Sequence, residues 1–242
     1  MFCRGIAQIT CQSEGSHLGN AGLGEIASAL TKARKVEQAV KVAQNADASG
    51  FVLLEVVSTL LEAGEFTQAV EVTQKIRDKD FKVQSLSGIV SELAEAGKIK
   101  QALEVTKKIE TGFDKAEPLN DITTALLKAG KVKQAMKVAQ KIVLPYYKAP
   151  LLRDIASAQV AAGDKERALA TLQQAVKVAQ TIEVVKAKTS VLREIALTLA
   201  MERIPKNKKD NPDRFVVRRM KKVFTADEKK LAKQIVEAMQ GN

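Results

Sequence analysis

The sequence Ala-Gly-x-x-x-Gln-Ala, or a near copy of it, returns every 33 residues. It reads Ala63-Gly64 with Gln68-Ala69, Ala96-Gly97 with Gln101-Ala102, Ala129-Gly130 with Gln134-Ala135, and Ala162-Gly163 with Arg167-Ala168. A fixed period of this length means one structural unit copied in tandem. Each unit holds two apolar patterns of helical spacing, i, i+3, i+4 and i+7, on either side of the Gly. Leu53, Val56, Val57 and Leu60 precede Gly64, and Phe66, Ala69, Val70, Thr73 and Ile76 follow it. The next copies give Leu86, Ile89, Val90, Leu93 with Ala102, Leu103, Thr106, Ile109, then Leu119, Ile122, Thr123, Leu126 with Ala135, Met136, Ala139, Ile142. The fifth gives Leu152, Ile155 and Ala156 with Ala168, Leu169 and Leu172. The Gly is expected at the end of the first helix, where a residue with φ > 0 is needed. The Ala that recurs early in the second helix is expected at a close helix crossing.

A worn copy comes first, with Leu23, Ile26, Ala27 and Leu30 ahead of Val36, Ala39, Val40, Ala43 and Ala46, and with Arg34 where the Gly should stand. The step from Ala39 to Ala69 is 30 residues, which predicts a short loop near Ala48–Gly50. The pattern restarts with Val191, Leu192, Ile195, Ala196 and Leu199, which lies 40 residues beyond the fifth copy. The added residues predict a long second helix, Lys165–Thr181, projecting about two turns beyond its counterparts.

These units resemble tetratricopeptide repeats in a degenerate form. Ala27, Val57, Val90, Thr123, Ala156 and Ala196 match the family's small site, and Gly64, Gly97, Gly130 and Gly163 its turn. Ala39, Ala69, Ala102, Ala135 and Ala168 match its Ala site. The apolar residue two after the Gly is Phe66, Ile99 and Val132, with Lys165 a departure. There is no Trp, and Leu53, Leu86, Leu119 and Leu152 stand in its place. Leu60, Leu93 and Leu126 replace the usual Tyr, and the closing Pro is missing. Ankyrin repeats share the period, but their Thr-Pro-Leu-His signature is absent; pentatricopeptide repeats are slightly longer relatives. The resemblance implies an all-α chain: a right-handed α-α superhelix of about five 33-residue helix-turn-helix repeats, with C-terminal capping helices. The expected division is an N-terminal segment 1–21, a solenoid 22–200 and a basic C-terminal part 201–242.

In the resembled architecture the first helix of each pair lines a concave face. The residue before the repeating Ile or Val is acidic at Glu25, Glu55, Asp121, Asp154 and Glu194, with Gly88 the exception. One turn on stands a row of hydroxyls, Ser28, Ser58, Ser91, Thr124 and Ser157, closed by Thr198. Arg153 and Arg193 flank the acidic row. Residues i and i+3 share a helix face, so these positions form a candidate peptide-binding groove suited to Lys or Arg. The macrodipole also favours acidic residues near helix starts, and small hydroxyls also fit where helices approach closely. Lys131, Lys133, Lys137 and Lys141, with Lys98, Lys100, Lys107 and Lys108, predict a basic convex face.

The net charge of +11 is uneven, with nine Lys/Arg and two Asp between Arg203 and Lys222. Pro205 to Pro212 reads as an exposed linker. A basic helix with Phe215, Val216, Met220 and Val223 follows, and Thr225 to Glu228 reads as a capping box before a final helix carrying Leu231, Ile235 and Met239. Lys206, Lys208, Lys209, Arg214, Arg218, Arg219, Lys221 and Lys222 are either the solvated side of a C-terminal cap or a patch for nucleic acid or an acidic partner.

Catalysis has no specific support. There is one His, His17, and no strand-borne phosphate loop. The acidic ladder spaces carboxylates about 10 Å apart. Cys3 and Cys11 would stand about 12 Å apart on a helix, too far for a disulfide, and lack the further ligands of a zinc site. No metal or cofactor is expected, and free thiols fit a reducing, cytoplasmic setting. No stretch approaches a membrane span. The expected role is a non-enzymatic scaffold for a protein or peptide partner. Nucleic-acid binding through the basic segment, or pairing of an end repeat with a second copy, are the alternatives.

Overall fold

The structure, a computed structural model, describes residues 17–45, 50–201 and 226–240. The described residues are all-α, with twelve helices and no strand. In chain order these are α1 (His17–Lys32), α2 (Val36–Asn45), α3 (Phe51–Glu62), α4 (Phe66–Thr73), α5 (Lys79–Glu95) and α6 (Ile99–Thr106). They continue with α7 (Ala116–Lys128), α8 (Val132–Ala139), α9 (Pro145–Ala161), α10 (Lys165–Gln180), α11 (Val185–Met201) and α12 (Ala226–Gln240). Cys3, Cys11, Ala46, the Pro205–Pro212 linker, the eight basic residues from Lys206 to Lys222 and the Thr225 cap lie outside the described residues. The described part of the first helix includes residues 17–20, inside the segment expected to precede the repeats.

The helices fall into two compact units divided between Glu110 and Thr111, within the span expected as one solenoid. Inside each unit, packing is local: firmly packed helices are neighbours or next-but-one in chain order. Thus α1 meets α2 and α3, α3 meets α4 and α5, and in the second unit α9 meets α7, α8, α10 and α11.

One backbone device makes the odd-to-even turns from α1 to α10. Gly64, Gly97, Gly130 and Gly163 have φ of 73°, 72°, 69° and 82°. The Gly amide donates to the carbonyl three residues back, and the next amide to the carbonyl five back. At Gly97 these are Gly97 N to Ala94 O at 3.0 Å and Lys98 N to Leu93 O at 2.8 Å. This is the Schellman arrangement, which satisfies carbonyls that a helix end would otherwise leave open. Arg34 makes the same turn with φ 60°, donating to Thr31 O at 2.9 Å, while Lys35 donates to Leu30 O at 2.8 Å. It is the one non-Gly residue with positive φ among the described residues. The worn first copy therefore keeps the geometry while losing the residue that adopts it without strain.

The small register positions pack as their recurrence predicts. Ala39, Ala69, Ala102 and Ala135 are fully buried, and Ala168 nearly so. Val56, Ile89, Ile122, Ile155 and Ile195 are the matching fully buried residues of α3, α5, α7, α9 and α11. Thr73 and Thr106 of the even helices are also buried. Their hydroxyls donate to the Ala69 and Ala102 carbonyls, each at 2.8 Å. Bonding within the helix lets a polar group occupy the core at little cost.

The long even helix is present: α10 runs 16 residues against 8 for α4, α6 and α8. Its second half buries Ala175, Val176 and Ala179, which share one core with Leu192 and Ile195 of α11 and Leu231, Ala232 and Ile235 of α12. The final helix thus packs on both α10 and α11.

Candidate functional site

In the first unit, the acidic row reduces to Glu25 on α1 and Glu55 on α3, because Gly88 occupies the corresponding place on α5. Glu25 is exposed and Glu55 half-buried. The Glu55 carboxylate lies against Gly24, where a Cβ would overlap it. Ser28 shares a 3.0 Å hydrogen bond with Thr59 across α1 and α3, and Thr59 donates to the Glu55 carbonyl at 2.8 Å. Ser91 donates to Ser87 O at 3.2 Å, and Ser58 is exposed. The hydroxyls Ser28 and Ser91 are thus engaged within the helix layer.

The second unit differs from a plain carboxylate row. Arg153 on α9 places Nε and Nη2 at 2.9 and 2.7 Å from Asp154 Oδ1, and Nη1 at 3.5 Å from Glu194 Oε2 on α11. One guanidinium therefore faces two of the three acidic residues and ties successive odd helices together. Arg193 is exposed beside Glu194. The surface is an alternation of charge rather than a uniformly acidic strip. Thr124 is half-buried, and Ser157 exposed. Thr198 stands four residues after Glu194, not three; its hydroxyl returns to the Glu194 carbonyl at 3.0 Å, and Leu197 holds the position equivalent to the other hydroxyls.

A concave feature of this unit lies at the beginnings of the odd helices. A cleft of about 480 Å³ is lined by Asn120 of α7, by Tyr146, Tyr147 and Pro150 of α9, and by Val184, Lys186, Ala187, Ser190 and Val191 at the start of α11. Tyr146 and Val184 are 58% and 65% exposed, large apolar groups left in water. The two rings meet edge to face, with centroids 5.6 Å apart and planes at 88°. Such pairs gain from the quadrupole alignment.

Local sequence explains the cleft. Pro145 opens α9 at its first turn, where a missing N–H costs nothing. It starts the helix seven residues before Leu152, as α5 and α11 start seven before Leu86 and Leu192, whereas α7 starts three before Leu119. The added turn carries both tyrosines. Pro150, within the helix, has no N–H to return to the Tyr146 carbonyl, so that oxygen lacks its ordinary helix donor. Electrostatics mark the α7 end. Burial, then the Glu117 carboxylate, the Tyr146 phenol and the Asp121 carboxylate, hold the Tyr147 hydroxyl above its ordinary value of 10.0. Each cause disfavours a second negative charge there. Asn120 also donates to Asp121 Oδ1 at 3.3 Å.

None of the groove positions read from sequence lines this cleft, and Asp121 adjoins it only through its hydrogen bond from Asn120; Tyr146, Tyr147, Pro150 and Val184 were not among the positions read. The available signal was the adjacency of the chain's only two tyrosines. Among the described residues there is no grouping of three His, Cys, Asp or Glu able to hold a metal, and no helix long and apolar enough to cross a membrane. Compared with protein-family models, with curated proteins and with solved structures, the chain matches none.

Proposed function

We propose that the chain is a non-enzymatic, cytoplasmic binding scaffold of tetratricopeptide-like build, its helix pairs winding into a right-handed superhelix. It holds a peptide segment of a partner protein on the face formed by the first helices of the pairs. The observation that carries this reading is the open aromatic cleft across the beginnings of α7, α9 and α11. Ligand sites are concave and largely apolar, with a few placed polar groups, and interface energy concentrates in such aromatic anchors. Further along α9 and α11, Arg153 forms ion pairs with Asp154 and Glu194, and such pairs fix orientation more than they add affinity.

The test is affinity capture from native lysate with the full chain and with a Tyr146→Ser, Val184→Ser double variant, both at raised salt and after nuclease. A protein held by the former and lost by the latter, at unchanged helicity, is the expected result. Capture that the double variant retains in full refutes the assignment to this face.

A second reading has its own observation. Lys133, Lys137 and Lys141 are exposed at i, i+4 and i+8 on α8 and the turn after it, and α8 carries no acidic residue. Like charges at that spacing repel, and a polyanion would relieve them. Nucleic-acid capture lost on raising salt and in a Lys133/Lys137/Lys141→Gln variant would favour it.

A further inference from the structure

We infer that the cleft of the second unit takes a partner segment carrying a Phe or Leu side chain directly beside an Asp or Glu. The inference rests on the scaffold reading and names the chemistry of its ligand. The apolar half follows from where apolar surface is left open. Among the described residues, the large apolar side chains most open to water are Phe51, Phe113, Val143, Tyr146, Val184 and Val185. All six stand within three residues of the first residue of an odd helix. Single exposed apolar residues are ordinary, but their concentration at one kind of junction marks a contact surface. In the second unit the junctions before α7 and α9 lie against each other, since a Cβ on Gly112 would stand 3.5 Å from the Val143 side chain. The cleft continues this surface, with Tyr146, Pro150, Val184 and Val191 presenting carbon to a space of about 480 Å³. That is toward the small end of ligand-sized pockets, about 300–1,000 Å³. It accommodates side chains of a segment and not the surface of a folded domain.

The acidic half follows from the charge on the walls. The lining holds one charged group, the Lys186 ammonium, and no carboxylate. Lys186 is exposed and makes no ion pair among the described residues. Ser190, one turn further along α11, lines the same cleft, and its hydroxyl has no hydrogen-bond partner among the described residues. Groups at i and i+4 share a helix face, so the ammonium and the hydroxyl can donate to one carboxylate. The first turn of α11 has no acidic residue. Lys186 therefore stands at the positive end of its own helix, where an anion is favoured and a cation is not. Glu117 and Asp121 of α7 line none of the cleft, and Asp121 already accepts from Asn120 at 3.3 Å. These two repel a ligand acid on the α7 side, so the ligand has a direction, with its acid toward α11. A basic residue beside the apolar one meets Lys186 with no carboxylate in the lining to offset it, which gives discrimination as well as attraction.

The chain reports on this cleft without a label, because Tyr146 and Tyr147 are its only tyrosines and it has no Trp. Tyrosine emission of the full chain is followed while adding blocked hexapeptides of Gly-Ser background. The central pair in these is Phe-Glu, Phe-Gln, Phe-Arg or Ser-Glu. The expected result is saturable change with Phe-Glu at a Kd at least tenfold below those of Phe-Arg and Ser-Glu, with Phe-Gln between. A Lys186→Glu variant should invert the preference between Phe-Glu and Phe-Arg while still binding. Glu suits a first helical turn, so the variant keeps its fold, and a gained preference is something misfolding cannot produce. Equal binding of Phe-Glu and Phe-Arg, a preference that Lys186→Glu leaves unchanged, or no saturable change with any peptide overturns the inference. So does emission that changes with the chain's own concentration alongside dimer formation in sedimentation, since the occupant would then be a second copy. If the peptides fail while protein capture still depends on Tyr146 and Val184, the ligand chemistry is wrong and the scaffold stands. If capture is also indifferent to those residues, both fall.

Discussion

Two glycines, Gly88 inside α5 and Gly97 at the turn that ends it, should respond to alanine with opposite sign. Gly97 ends α5 at φ 72°, and a Cβ built on it meets nothing within 4 Å. The cost of Gly97→Ala is therefore conformational, about 1–2 kcal/mol for an L-residue held in the left-handed region. About 0.4–1 kcal/mol returns because alanine leaves the unfolded chain fewer states. The net expectation is a loss of about 1 kcal/mol. Gly88 lies inside α5 with ordinary helical geometry, and a Cβ there meets only Leu61 Cδ1 at 3.9 Å, a normal contact. Gly88→Ala should gain about 0.8–1 kcal/mol from helix propensity. Urea unfolding followed by circular dichroism at 222 nm resolves this, since 1 kcal/mol moves the midpoint by about 0.5 M at typical slopes. If both substitutions stabilise, the left-handed turn is not what Gly97 is needed for, and the turn argument fails at all five junctions.

Arg34→Gly should stabilise by about 0.5–1 kcal/mol, since relief of the left-handed strain exceeds the added freedom of the unfolded glycine; a loss in the same urea assay would show that the Arg34 side chain matters more than its backbone. Ser85 is buried on α5, and its hydroxyl has no partner among the described residues. Ser85→Ala should be neutral or stabilise by up to about 1 kcal/mol, and a loss larger than that would mean the hydroxyl is bonded. Glu117→Gln should lower the Tyr147 titration seen by absorbance at 295 nm while leaving it above the ordinary value, because burial is the larger cause. With the folded value raised, the unfolded chain ionises first. Stability is full below the ordinary tyrosine value and falls as pH rises through the folded one. An unmoved titration in the variant would exclude Glu117 as a cause.

What the sequence makes legible is whatever repeats. The buried Ile and Ala positions and the left-handed Gly follow from a register that each copy enforces against its neighbours. The Arg34 turn is harder to read, because only its place in the register reveals that a non-Gly residue adopts the same dihedral. The pairing of Arg153 with Glu194 joins residues on different odd helices, and helical periodicity says nothing about which rotamer an arginine takes between two carboxylates. The cleft is hidden for a different reason. Tyr146 and Tyr147 lie in a helical turn added ahead of the repeating pattern, started by Pro145. A reading by period passes over residues that occur once.

The five turns also bear on how such a chain can change length. Gly64, Gly97, Gly130 and Gly163 differ in φ by 13° at most and share one hydrogen-bond scheme. A crossover between any two of these codons would rejoin helix to helix with no new backbone geometry, adding or removing whole 33-residue units in frame. The end beyond Gly163 is not interchangeable in this way. There α10 is twice as long and its last two turns are occupied by α11 and α12, so a unit inserted after it would find its docking surface already taken. Growth of the array is confined to one side of α10.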